Sequence, residues 1–143
     1  MAVIVDDHLL VGFLASACDE ELQGELEDSV LYTTGSWLYR ASSAANHGSG
    51  RGALSRRLAN LSSGRREQVE RDLASLSRTI GLVGLRVVVP VMSRLETRQR
   101  PNFLIAEALA VALLTDAAIL TTTDSPLLQE CAQDLDIVVR LIP

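Results

Sequence analysis

Five short runs of β-forming residues, separated by longer stretches of helical character, leave this chain few folds to choose from. The runs are residues 2–6, 29–33, 85–89, 118–122 and 137–142. Polar residues, glycine or proline bound each one. Asp7 reads as the N-cap of a helix over residues 8–14, and residues 19–28 as an acidic second helix or turn. Thr34 reads as the cap of a helix carrying Trp37, Leu38, Tyr39 and Arg40. Leu54, Leu58 and Leu61 mark a short helix; Val69, Leu73, Leu76 and Ile80 mark another stripe. Pro90 is expected to stop the third strand, with a short helix from Val91 to Gln99 and a longer one from Pro101 to Leu114. Pro126 suits the first turn of a last helix to about Asp134. Strands joined by helical crossovers form parallel sheets with both faces covered. The expectation is an α/β fold: a three-layer α/β/α sandwich with a mainly parallel central sheet of about five strands. Its 143 residues make a single domain, 1–143, long enough for a full core.

The apolar runs all break well short of a membrane span, and the acidic N-terminus lacks the basic region of a signal peptide. Cys18 and Cys131 share no motif spacing and read as reduced thiols of a cytoplasmic protein. The net charge of −5 conceals an uneven distribution. Residues 1–28 hold eight acids and no arginine; residues 29–100 hold twelve arginines and four acids; residues 101–143 hold six acids and one arginine. Acidic ends therefore flank a basic middle.

Three carboxylates stand where such a sheet would bring them together. Asp6 ends the first run, Asp124 follows the fourth, and Glu107 opens the apolar stretch from Ala108 to Leu114. Acids beside buried strands are costly to place, and ligands of open α/β sheets bind outside the carboxyl ends of the strands. Any one of these acids alone could equally cap a helix or turn. The set of three points to a hard-cation site. A basic surface beside it would suit a phosphodiester, with Arg40, Arg51, Arg56, Arg57 and Arg86 as candidate backbone contacts. These arginines could also be the solvated faces of ordinary helices. Trp37 and Arg40, three apart, could share a face and meet a nucleotide by stacking and charge. The glycine-rich stretch from Asn46 to Gly52 lacks the Gly-Lys-Ser/Thr of a P-loop.

In order and spacing the motifs resemble those of the PIN domain family. Val3-Ile4-Val5-Asp6 before an apolar helix resembles the family's first acid. The segment from Val88-Val89-Pro90 to Ala106-Glu107-Ala108 resembles the region of its third acid, with glutamate for the usual aspartate. Leu120-Thr121-Thr122-Thr123-Asp124-Ser125 resembles its hydroxyl-x-Asp motif. The family's second acid has no counterpart in Thr33-Thr34-Gly35-Ser36-Trp37-Leu38-Tyr39-Arg40. In that segment the chain resembles most a PIN-like group of actinobacterial type. The resemblance implies a metal-dependent endoribonuclease, the toxin of a toxin–antitoxin pair. Mg²⁺ or Mn²⁺ would sit on Asp6, Glu107 and Asp124, with Asp7 a fourth carboxylate and Thr121, Thr122 and Thr123 in support. RNA, an antitoxin protein and a second copy of the chain are the implied partners, with no membrane. The missing second acid implies an alternative: a degenerate, non-catalytic PIN-like module that binds nucleic acid or a protein. The direction of Arg40 discriminates. Turned into the acids it favours the binder, and turned away it favours the enzyme.

Overall fold

In the computed structural model, Val3 and Val5 pack on one side of the first strand and Ile4 on the other, all fully buried. A strand alternates its side chains between faces, so both faces of the sheet are covered. Residues 1–47, 52–76 and 78–143 are described. The five strands β1 (Ala2–Val5), β2 (Val30–Thr33), β3 (Ile80–Leu82), β4 (Ala118–Thr121) and β5 (Val139–Leu141) form one sheet in the order β3-β2-β1-β4-β5. Every neighbouring pair is parallel. The helices are α1 (Asp7–Leu14), α2 (Glu20–Glu27), α3 (Gly35–His47), α4 (Ala53–Ala59), α5 (Ser63–Ala74), α6 (Leu85–Met92), α7 (Phe103–Thr115) and α8 (Pro126–Asp134). One core cluster joins Val3, Val5, Leu31 and Leu120 to α1 through α5. The other joins Ile4 and Ile119 to α6, α7 and α8, with Trp37 of α3. This is the expected three-layer α/β/α sandwich. Among the described residues no helix is long and apolar enough to cross a membrane.

Several local expectations are corrected. Residues 85–89 form the start of α6 rather than a strand, and the third strand is Ile80–Leu82. A continuous apolar run has no alternation to separate a strand from a helix. Here Leu31 and Thr33 of β2 pair with Ile80 and Leu82, and Gly84 then opens α6. Ile80 therefore leaves the stripe of α5, which ends at Ala74. Pro90 lies inside α6 and is exposed, so its missing hydrogen bond falls on the solvent side. Helix α6 ends at Met92, and no helix covers residues 93–99. Asp6, not Asp7, caps α1, with the Leu9 amide donating to its Oδ1 at 2.9 Å. Asn102 caps α7, so that helix starts two residues after Pro101. Thr34 caps α3 as expected, its Oγ1 accepting from the Trp37 amide at 3.1 Å.

From β1 the chain builds one side of the sheet through β2 and β3, then returns to build the other through β4 and β5. Strand order thus reverses between β1 and β4. The crevice outside the carboxyl ends of those two strands is where an open α/β sheet accommodates a ligand.

Candidate functional site

Asp6 follows the last residue of β1 and is almost wholly buried. Its Oδ1 caps α1. Its Oδ2 accepts from the Thr122 amide at 2.7 Å, the Thr122 hydroxyl at 2.8 Å and the Thr121 hydroxyl at 3.2 Å. One carboxylate therefore clasps β1 and α1 to the end of β4. The threonine run supplies this clasp because β4 ends beside β1, with Val5 opposite Leu120. A buried carboxylate needs such donors to offset its lost hydration.

Glu107, only 1% exposed, faces a different element. Its Oε1 accepts from the Ser36 amide at 2.8 Å and its Oε2 from the Gly35 amide at 3.2 Å. These are first-turn amides of α3, which lack partners within the helix. The positive end of the helix dipole favours the negative charge. Gly35 permits the approach, since a Cβ there would stand 3.1 Å from Oε2. Asp124, in contrast, is exposed in the turn between β4 and α8. Among the described residues, no group of three His, Cys, Asp or Glu side chains is placed to hold one metal ion. Asp6 accepts hydrogen bonds on both oxygens, and Glu107 accepts from the α3 amides.

Asp7 is the acid without a full set of donors. The His8 amide donates to Oδ1 at 3.0 Å, and no hydrogen bond reaches its buried Oδ2. Arg40 Nε stands 3.2 Å from that Oδ2 as an ion pair, with 57% of the arginine side chain exposed. Arg40 is thus turned into the acids, but onto Asp7 rather than Asp6 or Glu107. Burial pushes the Asp7 carboxyl above its ordinary range, against the pull of Arg40 and with a further push from Asp6. A raised folded-state value contributes stability fully in acid, below the unfolded value, and loses it as pH rises through the raised value. Ionised Asp7 therefore costs stability near neutrality. Asp7→Asn should raise the urea midpoint at pH 7 and lose that advantage below the carboxylate range. An equal loss of stability at both pH values would contradict this.

Asp7 and Arg40 separate two hollows. The inner one, about 240 Å³, lies in the β1/β4 crevice, lined by Asp6, Trp37, Asn102, Thr121, Thr123 and Ser125 among others. The outer one, about 450 Å³, includes His8, Tyr39, Ser43, His47 and Ser55. Glu107 and Asp124 line neither. Trp37 does not share Arg40's exposure: it is buried in the core, and Tyr39 is the exposed ring, at 73%. Trp37, Ala41 and Ala45 recur every four residues as the buried stripe of α3. That stripe, readable in the sequence, puts Tyr39, Arg40 and Ser43 on the outward side. Asn102, which no motif singles out, lines the inner hollow while capping α7.

The remaining arginines divide. Arg57 is half-buried and donates to the His8 carbonyl at 3.4 Å, so it packs α4 onto α1. Arg56 is exposed on α4. Arg86 is exposed on α6 and lines neither hollow. Arg51 lies outside the described residues. Cys18 and Cys131 are free thiols.

Compared with protein-family models and with curated proteins, the chain matches none.

Proposed function

We propose that this chain is a PIN-like binding module that takes single-stranded RNA at the outer hollow, without a metal ion and without catalysis. The carrying observation is the Arg40–Asp7 pair at 3.2 Å, which sets a guanidinium among the acids. A cation fixed there neutralises Asp7 and leaves more than half of its own side chain open to a phosphate. Tyr39, next in the chain and exposed, offers a face for a base; His8 and His47 line the same hollow. Stacking beside positive charge is how single strands are held without sequence reading. In this reading Asp6 and Glu107 are structural acids, each serving backbone amides.

A second reading has one observation in its favour. Asp6 and Asp124 follow β1 and β4, the strands flanking the reversal of strand order. That is where a metal-dependent endoribonuclease of PIN-like type, with an antitoxin as partner, would place Mg²⁺ or Mn²⁺.

Fluorescence anisotropy of a labelled single-stranded RNA in EDTA tests the binder. Tyr39→Ala should weaken binding about tenfold. Arg40→Ala should do the same and lower the salt dependence by about one phosphate contact. Tyr39 is exposed, so its variant should keep the wild-type thermal midpoint. Affinities unchanged in both variants would sink the proposed interface.

A further inference from the structure

Helix α6 is nearly all apolar, Leu-Arg-Val-Val-Val-Pro-Val-Met, yet Val88 alone of its residues is fully buried. Leu85, Val87 and Val89 are about half exposed, and so is Phe103 at the start of α7. Beta-branched residues in an exposed helix favour neither helix formation nor solubility. Exposed apolar side chains gathered on one side of a helix mark an interaction site, and Val87 stands on the other side of α6 from Leu85 and Val89. Leu85, Val89 and Met92 recur at i, i+4 and i+7, on one side of α6. Between α6 and α7 lies a groove of about 710 Å³, lined by Val89, Met92, Leu95, Pro101, Phe103 and Arg100 among others.

Arg98 and Arg100 line this groove, and Arg94 stands in the chain between the lining residues Ser93 and Leu95. Residues 85–102 carry Arg86, Arg94, Arg98 and Arg100 against Glu96, and Glu130 and Asp134 of α8 reach the same segment at Gln99 and Arg98. Arg98 is held by Asp134, through its amide and its Nε at 2.9 Å each. Among the described residues, Arg86, Arg94 and Arg100 have no ion-pair partner, and all three are exposed. A second copy meeting this face through a two-fold axis would bring the same arginines together, at a cost in repulsion. A segment with an apolar stripe and acidic flanks meets both the groove and its rim.

We infer that the α6–α7 groove is a docking surface for an amphipathic helix of a partner protein, its apolar stripe on Val89 and Phe103 and its acidic flanks on Arg94 and Arg100. This is helix-in-groove recognition, read by anchors at i, i+3 or i+4, and i+7. It is separate from the outer hollow and stands whether or not RNA binds there.

The probe is a labelled helical peptide of about 18 residues, leucine at every third or fourth position and glutamate elsewhere. A second peptide carries lysine in place of glutamate. The glutamate peptide should bind the full chain and the lysine peptide should bind at least about tenfold more weakly. Val89→Asp and Phe103→Asp should each abolish binding of the glutamate peptide. Both positions are exposed, so folding, followed by circular dichroism, should be retained. Arg94→Glu combined with Arg100→Glu should reverse the preference between peptides, a result no misfolded variant gives. Equal binding of both peptides, absence of binding, or binding untouched by Phe103→Asp would overturn the proposal. So would a dimer in sedimentation velocity that Phe103→Asp dissolves, which would assign the face to a second copy.

Discussion

Glu107→Ala should lower the thermal midpoint by about 10 °C or more. The carboxylate is buried and accepts from the amides of Gly35 and Ser36. Removing it strands two donors at a helix start and opens a cavity in the middle of α7. A hydrogen bond to a charged group contributes about 1.5–3 kcal/mol, and unsatisfied buried donors add their own cost. Two such bonds put the loss at about 3–6 kcal/mol. For a chain of this length, each kcal/mol moves the midpoint by about 3 °C. Glu107→Gln should lose roughly half as much, because one oxygen still faces an amide while the new NH₂ opposes the other. Calorimetry on the three proteins checks the order wild type, Gln, Ala. A Glu107→Ala protein as stable as wild type would show that the α3 amides do not depend on this carboxylate.

Asp6→Asn is the second large effect, and its sign separates the two functional readings. Oδ2 of Asp6 faces the Thr122 amide and two hydroxyls, while Oδ1 faces the Leu9 amide. Whichever way an asparagine sits, its NH₂ meets an N–H donor. The clasp between β1, α1 and the end of β4 should weaken by about 2–4 kcal/mol. If Asp6 were instead one of a cluster of mutually repelling metal ligands, removing its charge would relieve repulsion and raise stability without metal. Chemical denaturation in EDTA reads the sign directly. A gain in stability would remove the structural role assigned to Asp6.

The local signals were legible and the distant ones were not. The apolar runs of β1, β2 and β4, the cap at Thr34 and the helix begun by Pro126 depend on residues within a few positions of one another. The run Val87-Val88-Val89 misleads because its β-branched residues favour a strand in isolation. The sheet already has β3 seven residues earlier, paired in register with β2. Only that tertiary pairing leaves residues 85–92 free to close as a helix on α7. The acids divide in the same way. That Asp6 and Asp124 follow strands is visible in the chain. That Asp6 spends its Oδ2 on Thr122, 116 residues away, and Glu107 its oxygens on amides about 70 residues away, depends on the order of strands. The sequence raises the same acids under either reading, because a metal ligand and an amide acceptor are the same residue type. Tyr39 was within reach: the four-residue spacing of Trp37, Ala41 and Ala45 assigns α3 its buried side, and with it the outward position of Tyr39.

The most direct test follows one single-stranded RNA through binding and integrity together, in EDTA and in millimolar Mn²⁺. Affinity should be equal in both and should fall with Tyr39→Ala, and the RNA should remain full length on a denaturing gel. Cleavage that requires Mn²⁺ and disappears in a folded Asp6→Asn protein would contradict the binding module and establish the metal-dependent nuclease in its place.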